Sequence, residues 1–403
     1  MAEAFPVNNG MTSFWRTEPH FLDSYRSTEV LPDTSDIVIV GAGYAGVTTA
    51  YHCGHLKPDV YYQISALADK YGMDAAEEVA AFELAHMAAV KACVEEEKID
   101  CDLDFGKVID VQLDDNHCAK LKAGYESLLS QGALTATEAD FTPKETAESG
   151  DFGHINLSLN SFSAGANLQT QTPVLRISET PDVDGRWTVV TTRGSIRAKW
   201  VVFSTNAYTS AIAPEYKDKI VPVRGVCSRI VVPNPPKNPL SCSYTLRFNA
   251  WDYDYLIPRP DGSIVVGGGK STFFHNSSEW YNNTDDSRLI ESAARYFDNY
   301  MQRHFHGWED TGAYTDRVWT GVMGYSTDSL PHVGHIPNKP CQLVLAGFNG
   351  HGMPQVFLSA QAIAQMIIRG ATYEETKLPR LFKTTPERLS SQENHILTHL
   401  KAI

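Results

Sequence analysis

The 403-residue chain carries 34 basic against 48 acidic residues, a formal net charge of −14. Nucleic acid and anionic membrane both need a basic face, so neither is expected as a partner. With 42% apolar and 20% charged residues the chain reads as folded and globular, long enough for more than one core. No stretch approaches the roughly 18 apolar residues of a membrane span. The N-terminus lacks a basic start followed by an apolar run, which makes a cytoplasmic location the expectation. Seven cysteines, odd in number and never spaced CxxC, argue against a disulfide framework or a zinc site. His304, His306, His332 and His335 have no carboxylate or cysteine at ligand spacing, so no metal is expected.

In chain order, a polar N-terminal arm with Phe14, Trp15, Phe21 and Tyr25 as anchors comes first. The β-branched run Asp36-Ile-Val-Ile-Val40 predicts a strand, followed at once by Gly41-Ala-Gly43-Tyr-Ala-Gly46 and a helix-like stretch. Helical spacing of Val79, Phe82, Leu84, Met87, Val90 and Val94 predicts one or two amphipathic helices over 63–100, and another is expected over 119–129. Residues 131–165 read as a long loop. Strands are predicted over 173–178, 186–192 and 195–204, with a turn at Pro181–Gly185. A β-rich block follows over 220–270, with Asp261-Gly262 as a hairpin turn, and a helix is predicted over 286–304. The last unit is a strand over 343–346, a glycine-rich turn, and a helix over 353–369.

The strand, GxGxxG and helix at 36–52 form the opening of a dinucleotide-binding unit. Gly41 permits the tight turn, Gly43 lets a pyrophosphate approach the backbone, and Gly46 lets the helix pack close, aiming its N–H groups at phosphate. Three further segments give the motif a family context. Trp200-Val-Val-Phe-Ser-Thr-Asn-Ala-Tyr-Thr209, Gly324-Tyr-Ser-Thr-Asp328-Ser-Leu-Pro331-His-Val-Gly334 and Ala346-Gly347-Phe-Asn-Gly350-His-Gly352-Met353 resemble, in order, "VVxATNAYT", "GYTPDGLPxxG" and "AGFxGHGM". These belong to the FAD-dependent amine and amino-acid oxidase family, with closest likeness to its γ-glutamylputrescine-oxidising branch. Val221-Pro-Val-Arg224-Gly225 adds that family's "PVRG" strand.

The resemblance implies an α/β fold: an FAD-binding Rossmann-like domain of the glutathione-reductase type beside a mixed-sheet substrate domain. It divides the chain into an arm (1–29), a discontinuous FAD-binding domain (30–60, 165–222, 318–385), a substrate or cap domain (61–164, 223–317) and a tail (386–403). The implied reaction is oxidation of a C–N bond in an amine or amino acid by hydride transfer to noncovalent FAD, with molecular oxygen as the re-oxidant. Gly41, Gly43, Tyr44, Ala45, Gly46, Val174, Gly347, Asn349, Gly350, His351, Gly352 and Met353 are the implied cofactor contacts.

One part of the pattern is missing. Relatives continue from the helix after Gly46 through an "xxLLEAR" strand, whose acid about 20 residues on holds the ribose, and a "GATGRNGGHLKPD" loop. This chain passes from Tyr51-His52 straight to Gly54-His55-Leu56-Lys57-Pro58-Asp59, inside that loop. Asp59, Asp69 and Asp74 do not end a strand-like run and are not read as the missing acid. Two readings follow: a truncated or non-catalytic relative that holds FAD weakly, or a divergent enzyme whose fold closes differently.

His55 and Lys57 follow the loop that lies against the flavin in relatives, so they face substrate or are loop residues displaced by the gap. Tyr255 and Arg259 are candidates to hold a substrate amine or carboxylate, or else edge the core. Arg224 either pairs structurally or binds an anion, and Tyr325 is expected beneath the flavin. Met323 stands where some relatives carry the cysteine that bonds to FAD. Val265 stands where they carry an oxygen-activating lysine, with Lys270 just beyond Gly267-Gly-Gly269, which implies a slow oxidase or a dehydrogenase.

Overall fold

A computed structural model of the chain describes residues 5–7, 9–17, 21–41, 43, 56–98, 108–141 and 167–402. In chain order these form β1 (Thr34–Val40), α1 (Ile64–Tyr71), α2 (Met73–Glu96), β2 (Val108–Gln112) and α3 (Asp115–Ser130). Then come β3 (Val174–Ile177), β4 (Trp187–Thr191), β5 (Gly194–Phe203), β6 (Ile220–Val231), β7 (Ser243–Arg247), β8 (Tyr253–Pro258) and β9 (Ile264–Gly268). The series closes with β10 (Tyr314–Ser326), β11 (His332–His335), β12 (Gln342–Ala346) and α4 (Met353–Arg369), besides shorter helical turns. The protein is an α/β fold with two mixed sheets.

The first sheet is built on β5, whose Ala198, Val201, Val202 and Phe203 are buried because both faces are covered. Its order is β11-β12-β5-β4-β3, with β1 on the other side of β5. β1 and β12 run parallel to β5, and β4 is antiparallel to it. On one face α1, α2 and α4 bring Ile64, Val79, Phe82, Ile363 and Met366 onto Leu343 and Leu345. Trp187, Val189, Tyr216, Ile220 and Val344 share another cluster with Val201 and Phe203. The helical period is plain in α2, where Ala76, Val79, Glu83, His86, Val90 and Val94 are buried at three- and four-residue steps.

The second sheet runs β10-β6-β9-β8-β7-β2. Period-two alternation divides it sharply. On β6 Arg224, Val226, Ser228 and Ile230 are buried, and Val226 and Ile230 join Phe273, Trp280, Phe297, Tyr300 and Trp308 in a core. Gly225, Cys227 and Arg229 remain partly accessible between them. The N-terminal arm reaches this sheet: the Phe14 ring lies 4.9 Å from the Arg229 guanidinium, 5.6 Å from that of Arg259 and 6.4 Å from the Trp319 ring.

Two elements depart from the sequence expectation. The helix predicted over 286–304 is a 3-10 turn at Glu291–Ala293 and a helical turn at Tyr300–His304, separated by Asn299 with φ +53°. A continuous helix does not pass through that left-handed residue. β10, not anticipated as a strand, is long but interrupted by Gly321 and Gly324, so no run of β-formers marks it. It is held by a register from Tyr314↔Val231 to Ser326↔Ile220. Where the sequence lacks a strand, β1 pairs with β5 alone among the described residues, and Ile37 and Ile39 are 38% and 53% exposed. Among the described residues no helix is long and apolar enough to cross a membrane.

Leu256, fully buried on β8, provides a test of the second core. Leu256→Ala should lower chemical-denaturation stability by about 2–5 kcal/mol. Ile39→Thr on the open strand should change it by less than about 0.5 kcal/mol.

Candidate active site

Three parallel strands end together. β1 leads into Gly41, β5 into Ser204 and β12 into Gly347. Ser204 ties two of these ends, its backbone N–H and Oγ donating to the Val40 carbonyl at 3.0 and 2.9 Å. Asn206 ties the third, its Oδ1 accepting from the N–H groups of Gly347 at 3.0 Å and Phe348 at 3.3 Å. Ligands of open α/β sheets lie beyond such carboxyl ends. Gly41 has φ +104°, and a Cβ there would stand 2.5 Å from the Ser204 carbonyl oxygen, so the turn requires glycine. Among the described residues nothing lies within 4 Å of the Cβ position at Gly43, leaving the backbone approachable from their side. Tyr44, Ala45, Gly46 and His55 lie outside the described residues.

The turn at 347–353 is joined to β10. Asn349 donates its N–H to the Gly324 carbonyl at 2.9 Å, and its Oδ1 accepts from the Ser326 N–H at 2.8 Å. Gly347, Asn349 and Gly350 all have positive φ, which folds the turn back before α4 begins after Gly352. A Cβ on Gly350 would lie 3.0 Å from the Tyr325 hydroxyl oxygen and 3.3 Å from Met323 Sδ. His351 is anchored by Nε2 to Glu83 Oε2 at 2.9 Å. Burial opposes its charge, but the Glu83 carboxylate outweighs burial and pushes its pKa up to about 9. Glu83, 2% exposed, also accepts from Gln355 Nε2 at 2.6 Å and the Asp59 N–H at 2.7 Å. Asp59 in turn accepts from the N–H groups of Tyr61, Tyr62 and Gln63, a structural role. Glu83 thereby joins the 56–63 loop to the 347–353 turn.

The accessible face of the second sheet supplies the remaining wall. Asp110 on β2 registers with Thr245 on β7 and Thr245 with Tyr255 on β8, while Arg247 registers with Tyr253. Lys57 forms an ion pair with Asp110, and Arg247 Nη2 and Nε approach Asp110 Oδ2 at 3.1 and 3.3 Å. The Tyr61 hydroxyl donates to the same oxygen at 2.6 Å. Burial disfavours charge on Asp110, yet Lys57 and Arg247 outweigh it and hold its carboxyl well below the usual carboxylate range. Arg247 is also stacked 3.7 Å from the centre of the Tyr62 ring. Tyr255 OH and Cys227 Sγ are 3.1 Å apart. Gly267 leaves room for the Tyr255 ring, which a Cβ would meet at 2.2 Å. Lys270 Nζ lies 4.2 Å from the Tyr253 ring centre. Cys227, Tyr253, Tyr255, Lys270, Tyr325 and His351 are half-buried, as side chains lining a cavity are.

Of the residues singled out from sequence, the structure brings Gly41 to the strand ends, Gly347, Asn349, Gly350, His351, Gly352 and Met353 into one turn, and Lys57, Tyr255 and Tyr325 to the cavity. Val174 stands apart. It opens β3 opposite Thr191, which pairs with Gly194 at the start of β5, roughly 30 Å along that strand from Gly41. Arg259 lies in the β8–β9 turn beneath Phe14, about 13 Å along β8 from Tyr255. Arg224 is structural, donating to the carbonyls of Glu279 at 2.9 Å and Arg288 at 2.6 Å. His332 is buried beside Tyr216 and Thr384, and burial pushes its pKa down to about 3. Among the described residues no group of His, Cys, Asp or Glu has metal-binding geometry. Arg247, Asp110, Tyr253, Glu83 and Asn206 were not foreseen. The i, i+2 spacing of Thr245 and Arg247, and of Tyr253 and Tyr255, is the signal that would have placed them on one face.

A glycine turn at the end of a parallel strand, a second turn leading into a helix N-terminus, and a polar, aromatic cavity between two sheets together suit a flavin cofactor. The open backbone at Gly43 and the positive-φ turn before α4 are the features that fit it. This is the architecture of a flavoprotein oxidoreductase. The family model for FAD dependent oxidoreductases matches residues 54–366, and the chain belongs to that family.

The chain is 22% identical over 390 residues to γ-glutamylputrescine oxidoreductase of Escherichia coli, covering 83% of this chain and 84% of that one. A second curated relative, the mitochondrial amino-acid acetyltransferase of Aspergillus oryzae, is 61% identical over 110 residues, which are 27% of this chain. The chain spans only 16% of that relative's length. Among solved structures, glycine oxidase from Geobacillus kaustophilus has a TM-score of 0.58 at 17% identity, covering 84% of this chain and 95% of that one. L-proline dehydrogenase from P. horikoshii has a TM-score of 0.56 at 18% identity, covering 87% and 98%.

Two outcomes test this geometry. Gly41→Ala should reduce the FAD retained on purification, measured by released flavin absorbance, because the added methyl collides with Ser204. The His351–Glu83 pair should contribute stability below about pH 6.5 that is lost as pH rises through about 9. Denaturation across that window should show a loss of up to about 3 kcal/mol in the native sequence and a flatter profile in His351→Gln.

Proposed function

We propose that this chain oxidises a C–N bond in an amine or amino acid. The observation that carries the reading is the cavity wall: Lys57, Arg247, Tyr253, Tyr255, Lys270 and Tyr325 gathered against the His351 turn at the head of α4. When bound, FAD supplies the acceptor for hydride from the carbon beside the nitrogen. Gly41 and Gly43, with Tyr44, Ala45 and Gly46, would hold its pyrophosphate, and Gly347–Met353 its ring end. The positive N-terminus of α4 would favour negative charge arriving there. Residues 30–60, 165–222 and 318–385 would form the cofactor-binding part, and 61–164 with 223–317 the substrate part.

The protein's share of the chemistry is orientation and exclusion of water. Tyr255 and Tyr325 shape the wall, and Asp110 keeps Lys57 and Arg247 in place. Lys57 and Arg247 share the one Asp110 carboxylate, so that part of the wall carries surplus positive charge. That balance favours a substrate bearing an anionic group besides its nitrogen, and protonated His351 is already paired with Glu83. The relatives' names, γ-glutamylputrescine oxidoreductase and glycine oxidase, fit such a substrate.

Among the described residues β1 pairs with β5 alone and Ile37 and Ile39 are exposed, which favours a second reading: a family relative that holds FAD weakly. Purified chain and a visible spectrum separate the two. Flavin stoichiometric with the chain, bleached anaerobically by γ-glutamylputrescine, glycine or L-proline, is the expected result. Stoichiometric flavin that none of a panel of amines and amino acids reduces would overturn C–N oxidation. A folded, colourless chain that takes up no added FAD would establish the second reading.

A further inference from the structure

Lys270 is brought to the cavity by an unusual piece of backbone. β9 ends in Gly267-Gly268-Gly269, where Gly268 has φ +142° and Gly269 φ +68°, and Lys270 follows immediately. The turn is held from behind by Asp254, which points away from the cavity between Tyr253 and Tyr255. Its Oδ1 accepts the Gly269 N–H at 2.7 Å, and its Oδ2 accepts the Tyr296 and Tyr300 hydroxyls at 2.6 and 2.7 Å. A Cβ on Gly268 would lie 1.9 Å from Asp254 Oδ1, so the close approach requires glycine. The result is an ammonium fixed 4.2 Å from the Tyr253 ring centre. Among the described residues Lys270 makes no ion pair, while Asp110 is held by Lys57, Arg247 and Tyr61.

Resting on the amine-oxidation reading, we propose that Tyr253 and Lys270 form a proton-sharing pair, the Tyr253 phenolate taking the proton of the substrate ammonium. The N–H bond breaks and its electron pair stays on nitrogen. An O–H bond forms on Tyr253 while Lys270 remains protonated. The free lone pair then assists cleavage of the neighbouring C–H bond, and the proton later leaves to solvent.

The surroundings select this tyrosine. Arg247 from β7 and His351 before α4 are further cations beside it, Tyr62, Tyr255 and Tyr325 are neutral phenols, and Asp252 preceding β8 is the carboxylate that Lys270 acts on. Lys270 above all, against the opposing effect of burial, lowers the Tyr253 pKa. Burial raises that of Tyr325 to about 12. Tyr255, next to Cys227 and buried, is raised well above the usual value. His351 is unsuited to the task because Glu83 keeps it protonated.

Carbon-13 NMR of tyrosine Cζ in the full chain tests the pair. One phenolate resonance should appear below the ordinary tyrosine range near ~10. It should vanish in Tyr253→Phe, shift up by at least about one pH unit in Lys270→Met (about tenfold in acidity), and persist in Lys270→Arg and Tyr255→Phe. With FAD loaded, Tyr253→Phe should slow anaerobic flavin reduction by γ-glutamylputrescine about 10²-fold near neutrality. The deficit should narrow at high pH, where the free amine is already neutral. A low phenolate that survives Tyr253→Phe, or a Lys270→Met titration superimposable on the native one, overturns the pair. An unchanged rate and pH profile in Tyr253→Phe overturns the base role. A native chain that has the phenolate but whose flavin γ-glutamylputrescine, glycine and L-proline all fail to reduce overturns amine oxidation, and the base role with it, but not the pair.

Discussion

A single buried carboxylate governs how the site is assembled. Glu83 sits on α2 with almost no exposure, and a charge there is tolerable only if it is fully partnered. Its partners come from two places in the chain: His351 and Gln355 at the head of α4, and the Asp59 N–H in the loop before α1. Satisfying one side chain therefore positions two loops. With the 56–63 loop in place, Lys57 reaches Asp110 and Tyr62 covers Arg247. With the 347–353 turn in place, His351 faces Tyr253 across the cavity. His86, one turn further along α2, adds a neutral link, accepting the Leu358 N–H at 3.1 Å. Burial drives its pKa down to about 4 and keeps it uncharged.

The second sheet solves a different problem, which is to be a core on one face and a reaction chamber on the other. Alternation does this without added structure. Asp254 faces the packed side between Tyr253 and Tyr255, and Ser228 is buried beside accessible Cys227 and Arg229. Glycine supplies the clearance where tyrosine rings must lie flat on the sheet, as at Gly267. The same residue type that weakens a strand energetically makes room for this chamber.

Much of the fold is legible in the sequence, because the signals are local. The β-branched run before Gly41, the 3.6-residue spacing in α2 and the Asp261-Gly262 turn each need only their neighbours to be read. The family motifs located the turn at 347–353 for the same reason. What escaped depends on distant pairing. Asp110 matters because Arg247, 137 residues later, meets it across a parallel pair of strands. β10 becomes a strand through β6, in spite of its glycines. Likeness to relatives points to Val174 and a place on the Tyr255 strand points to Arg259, and the strand registers put both away from the cavity. The break in the motif after Tyr51-His52 is legible in the sequence, and among the described residues β1 pairs with β5 alone.

The placement of β5 has a consequence for how the molecule is made. Its two parallel partners are β1, which precedes it by about 160 residues, and β12, which follows by about 140. During synthesis β1 leaves the ribosome long before the strand it needs, and β5 must then wait for β12. The first sheet cannot close until most of the chain has emerged, and late closure of parallel strands is slow and exposed to side reactions. Because β1 also has one edge without a described partner, both of its edges stand unpaired among the described elements until β5 arrives.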